Sequence, residues 1–232
     1  MRFEERELKD YAEPVSVDAL QEGSVYFALN FQDYDLRLPY METRVFVGTD
    51  LVPGDMGRLY FQDVHSYLEG NRYNVDSEWP EFHTTTKDRI KHFFEFEGAL
   101  EGLLKCSLNR RGLYRIPLRF EARDLGPRAE PVSATTLEVG EHYFEIRFVD
   151  EDMLIPTMET VVFAGRNLEA GDIGKFYFQD APSYKGGVRY GPDAEDEGQE
   201  ILALSEEEID DIFEFERALD ELMKCSLRRR RV

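Results

Sequence analysis

Cysteine occurs only twice in the 232 residues, at Cys106 and Cys225, tryptophan once and histidine four times. Two cysteines cannot build a disulfide framework. His65, His83, His92 and His142 show no paired-ligand spacing, so no metal site is assigned. No apolar run approaches the roughly 20 residues of a membrane span, and the opening Met1-Arg2-Phe3-Glu4-Glu5-Arg6 lacks the apolar stretch of a secretion signal. The expectation is a reduced, cytoplasmic setting with no membrane partner. A phosphate-binding glycine loop, a dinucleotide-binding glycine pattern and a nucleophile elbow are also missing, so no cofactor and no catalytic residue are assigned.

Positive charge is scarce as well. Forty-eight acids face 28 lysines and arginines, a net charge of −20 that repels nucleic-acid phosphates and excludes direct nucleic-acid binding as the expectation. The same field steers toward a basic protein partner. Disorder does not follow from this acidity, because 42% of the chain is hydrophobic and 13% aromatic, compositions able to fill a core.

What the sequence does contain is a repeat of itself. Ala12-Glu13-Pro14-Val15-Ser16 recurs as Ala129-Glu130-Pro131-Val132-Ser133, and Met41-Glu42-Thr43 as Met158-Glu159-Thr160, both at an offset of 117. Tyr60-Phe61-Gln62-Asp63 returns as Tyr177-Phe178-Gln179-Asp180, and Arg2-Phe3-Glu4 as Arg119-Phe120-Glu121. Beyond Tyr67 and Tyr184 the register slips, then resumes at an offset of 119, where Phe94-Glu95-Phe96-Glu97 meets Phe213-Glu214-Phe215-Glu216. Residues 68–85 and 185–204, which absorb the length change, read as exposed connections. Two units are expected, 1–117 and 118–232, related by a pseudo-twofold axis and packed together because the join between them is short.

Each unit reads as α+β. Runs rich in aromatic and β-branched residues (24–31, 41–47, 58–61), separated by glycine-rich turns, predict antiparallel strands in a curled sheet or small barrel-like layer, with Arg2–Leu8 adding an edge strand. A closing amphipathic helix is predicted over about 86–109 and about 205–229 from the spacing of Ile90, Phe93, Phe94, Leu100 and Leu104, and of Ile209, Ile212, Phe213, Leu219 and Met223. Ser205 three residues ahead of Glu208 gives a capping-box pattern for the second. The apolar sides of these helices are expected to seal two matching cores.

Candidate binding residues are the polar groups that both units share. Asp33 and Asp35, matched by Asp150 and Asp152, alternate at a strand end near Glu42 and Glu159. They lack the spaced ligands of a calcium loop and compete with a solvated turn. Asp63 and Tyr67, matched by Asp180 and Tyr184, bring aromatic and polar groups together as interfaces do, or form a turn after a strand. Glu97 and Glu216 fall inside the apolar helical stripe, where a carboxylate is costly unless paired; an ion pair to Arg2 or Arg119 is one resolution, a ligand-binding group another.

Charge is segregated near the end. Residues 193–216 hold 12 acids and no lysine or arginine, and Arg228 to Arg231 follow. The leading functional expectation is a non-enzymatic acidic protein-binding module, such as an adaptor, inhibitor or immunity-type protein. Alternatives are an enzyme or small-ligand binder with a carboxylate-lined pocket between the repeats, and a nucleic-acid mimic.

Overall fold

The structure is a computed structural model that describes residues 1–72, 82–114, 116–190 and 201–231. The chain opens with two short strands, β1 (Arg2–Phe3) and β2 (Arg6–Glu7), and continues into β3 (Val25–Phe31), β4 (Pro39–Thr49) and β5 (Arg58–Asp63). A five-residue helix α1 (Val64–Leu68), β6 (Phe82–Thr86), β7 (Phe93–Phe94) and the 15-residue helix α2 (Phe96–Arg110) follow. After residue 118 come β8 (Arg119–Phe120), β9 (Arg123–Asp124), β10 (His142–Phe148), β11 (Pro156–Arg166) and β12 (Phe176–Asp180). The chain ends with α3 (Ala181–Lys185), β13 (Ile201–Leu204), β14 (Ile212–Phe213) and the 15-residue α4 (Phe215–Arg229). The connections expected over 68–85 and 185–204 lie partly outside the described residues.

The fold is α+β, built on a curled antiparallel sheet. Strands β7, β3, β4, β5 and β6 are neighbours in that order, as are β14, β10, β11, β12 and β13, and the two groups meet where Met41 of β4 pairs with Met158 of β11. At this joint the buried Thr43 hydroxyl donates to the Pro156 carbonyl at 2.6 Å, and the buried Thr160 hydroxyl donates to the Pro39 carbonyl at 2.6 Å. Long strands with one buried face read as alternation, and β4 alternates buried and half-buried residues over Pro39–Val45. The alternation breaks at a bulge between Phe46 and Gly48, and again between Phe163 and Gly165 in β11. Gly48 and Gly165 have φ of 142° and 150°, which side chains rarely adopt.

Three expectations are corrected. Arg2–Leu8 is no edge strand of the main sheet: β1 pairs with β9 and β2 with β8, so the N-terminal arm lies across residues of the other half. The long helices begin at Phe96 and Phe215, not near 86 and 205, because Phe94 pairs with Phe27 and Phe213 with Phe144 in the sheet. The 3-10 turns Lys87–His92 and Glu208–Asp211 precede these strands. Ile90, Phe93 and Phe94 are all buried, so a turn plus a strand produced the burial spacing of a helix. Ser205 and Glu208 do bond, through both the Ser205 amide and hydroxyl at 2.7 Å, but they brace the 3-10 turn ahead of α4.

The third correction concerns the core. The helices do not seal one core each: Leu100, Leu103 and Leu104 of α2 share a central cluster with Leu219, Leu222 and Met223 of α4, together with Phe27, Phe94, Phe144 and Phe213. Both helices lie on the joint, so their apolar stripes face each other as well as the sheet. Two satellite clusters cover other parts of it, one around Phe46, Phe61 and Phe93, the other around Phe163, Phe178 and Ile212. No helix among the described residues is long and apolar enough to cross a membrane.

Candidate functional site

Glu95 and Glu214 precede the long helices in extended conformation, and the first turns then carry Glu97 and Glu216. A helix start favours anionic side chains, since its free amides carry partial positive charge. Each carboxylate is held by an arginine of its own half together with a serine and an arginine of the opposite half. Glu97 accepts from the hydroxyl of Ser226 in α4, from Arg6 at 3.1 Å and from Arg230 at 3.3 Å. Glu216 accepts from the hydroxyl of Ser107 in α2 at 2.7 Å and from Arg123 at 2.7 Å, with Arg111 at 4.0 Å. Both serines are fully buried. The ion-pair partners are therefore Arg6 and Arg230 for Glu97 and Arg123 and Arg111 for Glu216, whereas Arg2 lies against Asp124 and Arg119 against Glu5.

Beside each glutamate the surface opens into a cleft. The first, about 360 Å³, is lined by Gln21, Ser24, Tyr26, Glu95, Glu97 and Arg229 among others. The second, about 470 Å³, is lined by Glu138, Glu141, His142, Tyr143, Glu214, Glu216, Arg110 and Arg111 among others. Each receives an arginine from the last turn of the opposite helix. Arg229 sits over the Phe27 and Phe96 rings, 5.6 and 5.2 Å from their centroids, and donates to the Leu154 carbonyl at 2.6 Å. Arg110 sits over Phe144 and Phe215, at 5.5 and 4.8 Å, and donates to the Arg37 carbonyl at 2.5 Å. Aromatic faces attract a guanidinium through their quadrupole, so these cations are held against the walls.

In the first cleft the surroundings favour an ionised Glu97. Burial pushes the Glu97 carboxyl up, but the Ser226 hydroxyl, Arg6 and Arg230 outweigh it, and its pKa lies below the ordinary value. Burial lowers the pKa of His142, and likewise that of Arg110. Burial pushes the thiols of Cys106 and Cys225 up to about 12, which keeps them protonated and poor nucleophiles. The described residues contain no group of three or more His, Cys, Asp or Glu side chains that could hold a metal ion.

Four of the ten other candidates, Asp33, Asp63, Asp150 and Asp180, accept from local backbone amides. Asp33 lies past the end of β3, in a turn, and accepts from the amides of Arg37 at 2.9 Å and Leu38 at 2.7 Å. Asp150 does the same after β10, accepting from Leu154 at 2.9 Å and Ile155 at 2.6 Å. Asp35 and Asp152 are exposed in those turns, so the period-two geometry of a strand does not relate them to Asp33 and Asp150. Glu42 pairs with Arg44 at 3.0 Å, and Glu159 is exposed on β11. Asp63 and Asp180 cap α1 and α3, accepting from the amides of Ser66 and Ser183. Tyr67 and Tyr184 carry the guanidinium groups of Arg72 and Arg189 over their rings, at 3.8 and 3.6 Å.

Only Glu97 and Glu216 of the candidates line the clefts. Sequence reasoning missed Ser107 and Ser226, Arg110 and Arg229, and Arg6 and Arg123, although each pair recurs at the repeat offset and could have been found by asking which polar residues the two units keep. No family model, no curated protein and no solved structure matches the chain.

Proposed function

We propose that the chain is an acidic, non-enzymatic protein-binding module, of the adaptor, inhibitor or immunity type, that takes basic side chains of a partner protein into the clefts between its halves. The observation that carries this reading is the second cleft, where Glu138, Glu141 and Glu214 outnumber Arg111, while Glu216 is held by Arg123 and Ser107 and Arg110 is committed to aromatic rings and a carbonyl. A net charge of −20 adds long-range steering of a basic partner. The reading includes the origin of the clefts: residues 1–117 and 118–232 are copies of one unit about a pseudo-twofold axis near Met41 and Met158. The reciprocal Thr43 and Thr160 bonds, and the reciprocal Ser107–Glu216 and Ser226–Glu97 bonds, support it.

Calorimetric titration with an arginine-rich peptide tests the reading, comparing Glu138→Lys/Glu141→Lys with the control pair Glu206→Lys/Glu207→Lys outside the clefts. The cleft pair should weaken binding at least about tenfold more than the control pair, since rim charges act mainly through screened steering. Equal losses in both would reduce the attraction to net charge and sink the proposal.

A second reading, an enzyme or small-ligand binder using a carboxylate-lined pocket between the repeats, draws on the presence of Glu97 and Glu216 in the cleft walls. The lowered pKa of Glu97 suits an anionic binding group and opposes a general acid, which needs its proton near neutral pH.

A further inference from the structure

Gly102 of α2 stands where the repeat places Glu221 in α4, and the exchange alters the space beneath the helix. In the second half the Glu221 carboxylate accepts from the Ala129 amide at 2.6 Å and from Lys224 Nζ at 2.8 Å, with Lys224 fully buried. Residues Ala12 and Lys105 match Ala129 and Lys224 in the sequence, yet Gly102 supplies no carboxylate to them. Leu29 takes the space next to Gly102: a Cβ built on that glycine would lie 2.5 Å from Leu29 Cδ2. Beside Leu29 an apolar cleft of about 480 Å³ remains, walled by Leu29, Phe31, Leu36 and Phe94, with Ala12, Gly102 and Lys105 in its lining. That volume lies in the range of small-molecule pockets.

Lys105 keeps one anionic neighbour, Glu101, as an ion pair at 3.2 Å. Its Nζ is buried and makes no hydrogen bond among the described residues, although Glu101 Oε1 lies 3.2 Å away and also accepts from the Lys9 amide at 2.9 Å. The Ala12 amide likewise has no hydrogen bond among the described residues. The ion pair to Glu101 leaves the buried ammonium without an aligned hydrogen bond, and a ligand carboxylate placed on its remaining donors supplies one. Lys91 also lines the cleft and Asp10 faces it, so the local charge does not follow the overall acidity.

We propose that this cleft binds a small amphipathic monocarboxylate, an unbranched aliphatic acid, whose carboxylate takes the place that Glu221 fills in the other half and whose chain lies on Leu29, Phe31 and Phe94. One carboxylate satisfies an ammonium and an amide together, as Glu221 does for Lys224 and Ala129. The inference is independent of the clefts around Glu97 and Glu216, which lie elsewhere on the joint.

The test is calorimetric titration of the full chain with decanoate below its micelle concentration, with decanol as the uncharged control. Saturable binding of decanoate is expected at one site. Lys105→Met should weaken decanoate at least about tenfold, the worth of one charged hydrogen bond, and change decanol less than about twofold. Gly102→Glu, whose Cβ meets the end of the Leu29 side chain, should abolish both. Far-ultraviolet dichroism separates loss of binding from loss of fold, and Lys105→Gln provides a second variant if the methionine variant does not fold. Absence of saturable decanoate binding, wild-type affinity in a folded Lys105 variant, or binding that survives Gly102→Glu would each overturn the proposal.

Discussion

Replacing Glu221 with alanine should unfold the protein far more readily than its position on a single helical turn suggests. Lys224 is only 1% exposed at its side chain, its Nζ hydrogen-bonds Glu221 Oε1, and that carboxylate also holds the Ala129 amide. Removing the carboxylate strands a buried ammonium and a buried amide at once. Breaking one side of such a pair costs about 3–5 kcal/mol, which for a domain of this size lowers the melting temperature by roughly 6–20 °C. Lys224→Met alone strands the carboxylate and should cost a similar amount. Removing both, as Glu221→Met/Lys224→Met, deletes the desolvation penalty of two ions; that change is typically neutral or stabilising by about 1–4 kcal/mol. The Ala129 amide left behind costs about 1–3 kcal/mol. The double variant should therefore lie close to the wild type, with a coupling of several kcal/mol between the two sites. Urea unfolding followed by far-ultraviolet dichroism measures the free energies of Glu221→Ala and of Glu221→Met, Lys224→Met and their double variant, the last three closing the cycle. Additive losses in the double variant, or a loss below about 1 kcal/mol in Glu221→Ala, would refute the reasoning.

Acidity should weaken the joint through Glu97. Its pKa is lowered from the ordinary 4.5, so it stabilises the fold fully above that value and loses the contribution as pH falls through its lower folded value. The stability gap between wild type and Glu97→Gln, read from urea midpoints, should be largest near neutral pH and close on acidification. Glu145 should behave in the opposite sense: burial raises its pKa despite Arg147, so the fold penalises its charged form. Glu145→Gln should raise the neutral-pH urea midpoint, and the gain should vanish once the wild-type carboxyl is protonated. Gly165→Ala, at φ of 150° and with its added Cβ 2.9 Å from Leu168 Cδ2, should cost about 1–3 kcal/mol in the same assay. Cys106 and Cys225, buried with thiols pushed up to about 12, should resist Ellman's reagent in the native protein and react in urea, and rapid native labelling would contradict their burial.

The α+β class and the β-rich runs were legible because aromatic and β-branched residues at 24–31, 41–47 and 58–61 mark strands by local preference. The helix starts were not. Phe93 and Phe94, like Ile212 and Phe213, are buried on a strand at a spacing that a helix would also produce, and only pairing with β3 and β10 distinguishes the two. The unpaired cost of Glu97 and Glu216 was also readable, but not the partners. Arg6 and Arg123 are brought to them by short strands that cross between the halves, a long-range placement that periodicity does not encode. Carboxylates shared by both halves mixed two kinds of residue. Asp33, Asp63, Asp150 and Asp180 recur with turns and helix caps, while the clefts lie around the serines and arginines of the helix ends.

The Ser107–Glu216 and Ser226–Glu97 bonds join α2 to α4 within one polypeptide. In an assembly of separate subunits such contacts would weaken as the protein was diluted. Here residues 111–118 keep the partners at a high local concentration that no change in protein level alters. Clefts assembled from both helices are thus present in every molecule, however few copies a cell makes.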